Sequence, residues 1–155
     1  MLYTDACGAG HLGAVLFVDG ERRDVHTHVP QWFMDAGAGI FELELLAELM
    51  GLTLACEVAP GRPVLLCCDN SGASATVVRG ACKTALGGMA ASVFWVVAAQ
   101  FRCPVWVEGV APPTTRLTTH RGYAQFCRMG TASRGCFTLG ESRKLSSRYV
   151  RAETR

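Results

Sequence analysis

The stretch "LYTDACGAGHLGAVLFVDG", residues 2–20, places an aspartate between two apolar runs. Residues 2–4 favour a β-strand that ends at Asp5, and residues 15–18 predict a second strand after a glycine-rich link. The dipeptide Asp19-Gly20 is typical of a two-residue hairpin turn, so a third strand is expected directly after it. The stretch therefore predicts a β-hairpin that fixes a carboxylate on a rigid strand, beside backbone that other groups can approach closely.

The rest of the chain predicts one more hairpin strand and then helices alternating with strands. Residues 21–29 alternate as a third strand that Pro30 ends, and residues 31–39 are predicted to be a loop. Five further elements are then expected: a helix over 40–55, a buried strand over 64–68, helices over 70–80 and 84–100, and a last strand over 103–110. The predicted fold class is α/β, with a five-stranded mixed sheet of three antiparallel hairpin strands followed by parallel strands, flanked by helices.

Composition bounds the architecture and the partner. The chain has 155 residues, of which 50% are hydrophobic and 18% charged, as in a globular protein with its own core. We expect one domain over residues 1–128 and a basic C-terminal segment over residues 129–155. From Arg102 onward Arg and Lys outnumber the acids Glu108, Glu141 and Glu153, which favours a polyanionic partner; a solubilising basic tail is the alternative.

Cysteine usage and hydropathy bear on the compartment. The sequence has eight cysteines but no C-x-x-C pair, and its four histidines show no ligand spacing next to the cysteines. We therefore expect reduced thiols in an intracellular protein of the cytoplasm or nucleus. The first residues lack the pattern of a signal peptide, and the most apolar stretch, residues 89–99, is too short to span a bilayer, so no membrane partner is expected.

Acidic residues stand at the ends of two strands that the topology would place side by side. Asp5 ends the first strand and Asp69 follows the buried strand "VLLCC", while Glu42, Glu44 and Glu48 lie on the first long helix. Converging carboxylates repel one another unless a hard cation such as Mg²⁺ lies among them. Taken singly, Asp5 is explained as a turn residue and Asp69 as a helix cap; taken together, they favour a metal site.

Three motifs resemble the ribonuclease H (RNase H) domains of reverse-transcribing elements, among them DIRS-type and VIPER-type retrotransposons and the related hepadnaviral polymerases. They are "YTDACGAGHLGAVL", "ELLAEL" and "LLCCDNSGASATVVRG", and the resemblance covers about residues 2–110. It implies an RNase H-like fold and an endonuclease that hydrolyses the RNA strand of an RNA–DNA hybrid with two Mg²⁺ or Mn²⁺ ions. It also implies a polymerase domain of the same polyprotein as partner. By this resemblance the catalytic metal ligands are Asp5, Glu44 and Asp69.

The resemblance also implies residues that contact the hybrid, and it fails at one expected position. Asn70 is expected at a sugar, and Arg79 and Lys83 at phosphates; solvated charges at helix ends are the alternative for both cations. The fourth acid of the family is expected within residues 114–116, but no carboxylate occurs there. Glu108 or Glu141 is a possible substitute, and His120 is a candidate for an assisting catalytic residue.

Three other functions fit parts of the same sequence pattern, and one of them stays open. An RNase H-fold module that binds nucleic acid without cleaving it, like the connection domains of reverse transcriptases, remains open because of the missing fourth acid. An ATPase of the actin and hexokinase type shares the first hairpin, but 155 residues do not supply its two lobes. An integrase-like enzyme needs a glutamate on a late helix, and none is apparent there.

Overall fold

The computed structural model describes residues 1–110, which form five strands and four helices. The elements in order are β1 (Leu2–Cys7), β2 (His11–Val18), β3 (Glu21–His28), α1 (Gln31–Asp35), α2 (Ile40–Val58), β4 (Val64–Cys68), α3 (Ser71–Arg79), α4 (Ala85–Gln100) and β5 (Val105–Gly109). The strand order is β3-β2-β1-β4-β5. The first three strands pair antiparallel, β4 runs parallel to β1, and β5 runs parallel to β4. The predicted five-stranded mixed sheet is confirmed.

The turn between β2 and β3 sets the register of the hairpin. Asp19 and Gly20 have φ values of 52° and 78°, both in the left-handed region that a tight hairpin turn of this kind requires. The two-residue turn pairs Val18 with Glu21, and the same register continues to His11 opposite His28. The turn predicted from the dipeptide is therefore present, and it determines which side chains share a face of the sheet.

Several of the expected boundaries are wrong: β1 does not end at Asp5 but continues to Cys7, α2 continues past residue 55 to Val58, and β5 begins at Val105 and not at residue 103. Residues 31–39 are not all loop, because Gln31–Asp35 forms the short helix α1, which buries Phe33. One helical turn is too short to show a periodic pattern, so sequence periodicity misses it. Strand β2 begins at His11 and not at residue 15, because the reversal is complete at Gly10, whose φ is 81° and whose N–H donates to the Cys7 carbonyl.

Helix α2 lies close against the sheet and positions the acidic residues. A Cβ atom added to Gly51 would lie 2.7 Å from Thr4 Cγ2, so this contact between α2 and β1 tolerates no side chain. Helix α4 packs against α2, where Phe94 is buried in the same core. None of the helices within residues 1–110 is long and apolar enough to cross a membrane. The expected boundary between residues 128 and 129 lies outside the described residues.

Candidate metal centre

Asp5 lies in β1, and Asp69 directly follows the neighbouring parallel strand β4 at the corresponding position. Tyr3 of β1 pairs with Cys67 of β4. Asp5 lies two residues after Tyr3, and Asp69 lies two residues after Cys67. Because adjacent strands lie about 4.8 Å apart, the two carboxylates begin from neighbouring points at the same end of the sheet.

Glu44 reaches this end of the sheet from the second turn of α2. Its side chain is only 4% exposed and accepts a hydrogen bond from the backbone N–H of Ala6. The second oxygen, Oε2, is buried and has no hydrogen-bond partner among the described residues. Glu42, two residues earlier, is used differently, because its Oε2 accepts the Gly39 N–H at 3.0 Å at the start of the helix. Of these two glutamates, Glu44 is therefore the one available to the site.

The electrostatics of Glu44 show that the acidic residues have been brought together. Its pKa is raised from 4.5 to about 8, mainly by burial and then by the charges of Asp5 and Asp69, with a smaller contribution from Glu48. Burial in a poorly solvated place and repulsion by like charges both disfavour the ionised form. Asp5, Glu44 and Asp69 are thus close enough to influence one another, as the sequence predicts.

Two residues at this place were not predicted as part of it. Glu48, one turn after Glu44, is fully buried, and burial raises its pKa to about 7. The Cys68 thiol is near enough to Glu48 to affect its titration, and burial followed by the charge of Glu48 raises the pKa of Cys68. The sequence signal for Glu48 is its spacing of four residues from Glu44, which places both on one helix face.

The donor atoms fit a hard divalent cation. One ligand atom each of Glu44, Cys68 and Asp69 lie within 4.8 Å of one another. Hard divalent cations prefer oxygen to sulfur, so the carboxylate oxygens of Glu44 and Asp69 are the expected ligands, and oxygen ligands suit Mg²⁺ or Mn²⁺. A cation would also supply a partner for the buried Oε2 of Glu44.

The predicted substrate-contacting residues do not all lie beside the carboxylates. Asn70 follows Asp69 directly, and its Oδ1 caps α3 by accepting the N–H groups of Gly72 and Ala73. Arg79 is exposed at the other end of the nine-residue helix α3, about 13 Å along its axis. Lys83 is exposed in the connection to α4. Their contacts with nucleic acid stay predictions, and His120 lies outside the described residues.

Comparison with known proteins identifies the fold. No family model and no curated protein sequence matches the chain. Among solved structures it is similar to RNase H1 from the halophilic archaeon Halobacterium salinarum NRC-1, at 12% identity and a TM-score of 0.55 over 71% of this chain and 83% of that one. This chain has an RNase H-like fold.

A second solved structure leads to the same conclusion. It is the N-terminal RNase H domain of a Mycobacterium tuberculosis protein, solved as a fusion with maltose-binding protein. The identity is 15% and the TM-score 0.53, over 72% of this chain and 84% of that one. At such low identity the likeness concerns the RNase H-like fold, and the activity has to be argued from the residues of this chain.

Proposed function

We propose that this protein is a metal-dependent ribonuclease that hydrolyses the RNA strand of RNA–DNA hybrids, with Asp5, Glu44 and Asp69 as the metal-binding residues. The observation that carries the proposal is Glu44. Its carboxyl group is buried at the end of the sheet, one oxygen lacks a partner among the described residues, and the nearby charges of Asp5 and Asp69 oppose its ionisation. Such an arrangement is unfavourable for stability and suits the binding of a cation.

Each carboxylate has a separate part in holding the ion. Asp5 would offer oxygens from strand β1 and Asp69 from the residue directly after β4, while Glu44 approaches them from α2 with its carboxylate oriented by the Ala6 N–H. When bound, Mg²⁺ or Mn²⁺ polarises the scissile phosphate and lowers the pKa of the attacking water. Ligands on strands and a packed helix keep their geometry better than ligands on loops.

The substrate side of the proposal rests on charge and sequence. Arg79 and Lys83 are exposed cations and would contact phosphates, which suits recognition of a hybrid by its backbone. Asn70 would offer its amide group to a sugar while its Oδ1 caps α3. The three motifs further favour a retroelement reverse transcriptase polyprotein as the setting, with a polymerase domain as partner.

The proposal is tested by cleavage of a labelled RNA–DNA hybrid by the wild type and by Asp69→Asn, in Mg²⁺ and in Mn²⁺. The amide keeps the shape of the side chain but removes the charge that holds the cation. We expect cleavage to fall about a thousandfold or more, since metal stabilisation of the transition state amounts to several kcal/mol. The control is hybrid binding, which should persist in the variant; equal cleavage by both proteins would refute the proposal.

A second candidate function is nucleic-acid binding without cleavage. The specific observation in its favour is the absence of a carboxylate at residues 114–116, where the resembling family has its fourth acid. Three carboxylates can hold one ion well and a second one poorly, so turnover depends on what completes the site. Hybrid binding by the wild type with no cleavage in either Mg²⁺ or Mn²⁺ would establish this second function.

A further inference from the structure

Three of the four histidines of the chain meet on one face of the β2–β3 hairpin. His11 of β2 pairs directly with His28 of β3, and His26 lies two residues before His28 and therefore on the same face. The ring centres of His11 and His28 are 4.0 Å apart, those of His11 and His26 are 5.3 Å apart, and those of His26 and His28 are 6.4 Å apart. The two strands of this hairpin thus bring three imidazoles close together on one face.

These distances are close to those required by a shared metal ion. With Zn–N distances of about 2.0–2.1 Å and tetrahedral angles, the ring centres of three ligating imidazoles lie about 5 Å apart. The observed separations lie on both sides of that value, and the ring nitrogens of the three histidines do not all lie within 4.8 Å of one another in the present side-chain conformations. The His11 and His26 rings are now stacked, with an angle of 23° between their planes, so binding requires rotation of these side chains. His28 is exposed and the other two are partly exposed, which leaves room for that rotation.

The chemistry of the cluster selects the class of ion. Imidazole nitrogens suit Zn²⁺, Cu²⁺ and Ni²⁺, whereas Mg²⁺ requires oxygen ligands. Burial, and then the proximity of His11 and His28, lower the pKa of His26, and the neutral imidazole is the form that binds metals. We propose that His11, His26 and His28 form a binding site for a divalent transition-metal ion such as Zn²⁺, separate from the carboxylate centre.

The position of the site gives it a structural effect. Strand β3 is at the edge of the sheet, where it pairs with β2 alone. An ion held by His11 on one side and by His26 and His28 on the other would link the edge strand to its neighbour, and it would stabilise the folded state by an amount that grows with the logarithm of ion concentration over Kd. Asp5 and His26 both pair with Gly13, so their backbones are about 10 Å apart and the two centres are distinct.

The test is calorimetric titration of Zn²⁺ into the full chain carrying Asp69→Asn, in which the carboxylate centre is disabled. This background makes the result independent of the proposed nuclease activity. We expect one saturable site and a tenfold or greater loss of affinity in His11→Ala and in His28→Ala. Thr27→Val is the matched control, since Thr27 lies between His26 and His28 on the opposite face, and its affinity should equal that of the parent.

Two further measurements distinguish direct binding by the histidines from binding by another residue and from indirect effects of the substitutions. In the parent protein, the ring nitrogen resonances of all three histidines should shift on Zn²⁺ addition, which requires no substitution. Cys7 pairs with His11 and is exposed, so Cys7→Ser tests whether the ion binds a thiolate instead. Absence of saturable binding, equal affinity in the histidine variants and in Thr27→Val, or a tenfold loss in Cys7→Ser would overturn the three-imidazole site.

Discussion

Two carboxylates of this protein, Asp19 and Glu44, occupy opposite electrostatic situations. Asp19 is exposed in the β2–β3 turn and accepts two hydrogen bonds from Arg62 Nη1, at 2.7 and 2.9 Å, which hold its pKa below the ordinary value. Glu44 is buried beside Asp5 and Asp69, and its pKa is raised to about 8. Folding therefore favours the charge at Asp19 and opposes the charge at Glu44.

The ionised carboxylate of Asp19 is compatible with the folded state, whereas the ionised carboxylate of Glu44 destabilises it. An exposed ion pair such as Asp19–Arg62 is screened by water and adds little to stability. The cluster around Glu44 lowers the stability of the metal-free protein at neutral and higher pH, because like charges are held together in a poorly solvated place. Its placement is explained if a divalent cation compensates those charges during function.

The largest expected effect comes from removing the carboxylate of Glu44. Glu44→Gln keeps the shape of the side chain but eliminates one metal ligand, so the affinity of the carboxylate centre for Mn²⁺ should fall about a hundredfold or more. Titration calorimetry of the wild type and the variant measures this loss directly. Glu42→Gln is the matched control, since Glu42 caps the start of α2, and its Mn²⁺ affinity should stay at the wild-type level. Equal losses in both variants would remove Glu44 from the site.

The second expected effect is a pH dependence of stability in the metal-free protein. With a pKa of about 8 in the folded state and 4.5 as its ordinary value, Glu44 binds a proton in the folded protein over a range in which the unfolded chain has lost it. The free energy of unfolding should therefore fall as pH rises between about 4.5 and 8, by at most about 1.4 kcal/mol per pH unit for this group. Urea unfolding with a chelator present measures the slope.

The same pH series distinguishes the two kinds of carboxylate. Glu44→Gln should flatten the decline, although Glu48, with a pKa of about 7, keeps part of it. Asp19→Asn should leave the slope between pH 4.5 and 8 unchanged. Because the pKa of Asp19 is lowered, its effect on stability changes with pH only near and below 3.8. A slope that is the same in the wild type and Glu44→Gln would mean that Glu44 is ionised in the folded protein.

A moderate effect is expected from the two exposed cations, Arg79 and Lys83, that we propose to contact the substrate. Replacing Arg79 and Lys83 by Gln should weaken hybrid binding without regard to sequence, and it should reduce the slope of log affinity against log salt by about two, one for each phosphate contact. Filter binding over a series of salt concentrations measures the slope. Arg22→Gln is a suitable control, since Arg22 is an exposed cation on the edge strand β3. An unchanged slope in the double variant would make both residues solvated helix-end charges.

The smallest effect should follow from breaking the exposed pair. Arg62→Ala removes the partner of Asp19, yet the two-residue turn is held by the backbone register of β2 and β3. The melting temperature should change little, and any difference from the wild type should vanish at high salt because exposed pairs are screened. A large loss of stability that persists at high salt would show that the pair fixes the loop before β4.

The sequence predicts the parts of the fold and of the site that follow from a local residue pattern. The order of strands follows from the hairpin turn at Asp19-Gly20 and from the buried run "VLLCC", and the nearness of Asp5 to Asp69 follows from parallel strand ends. The burial of individual side chains and the register between strands are harder to predict from the sequence, because they depend on tertiary packing. The spacing of four residues places Glu48 on the same helix face as Glu44, but its full burial and its nearness to Cys68 depend on how closely α2 packs on the sheet, which no spacing reveals.

The histidine cluster shows what the same reasoning overlooked. The four histidines show no ligand spacing next to the cysteines, so the sequence analysis predicts no metal site at these residues. Once the turn at Asp19-Gly20 is taken as a two-residue hairpin, however, counting back along both strands pairs His11 with His28. The information was present in the register of the predicted hairpin and required only that the strand be extended back to Gly10.

The most direct test of the central claim is a crystal of the metal-free protein soaked in Mn²⁺ and examined by anomalous scattering. The structure predicts an anomalous peak within coordination distance of carboxylate oxygens of Asp5, Glu44 and Asp69, with Glu44 Oε2 among the ligands, and predicts its loss in Asp69→Asn crystals. No peak at this place in the wild type at saturating Mn²⁺, or a peak that persists unchanged in Asp69→Asn, would contradict the assignment of this acidic cluster as the metal centre.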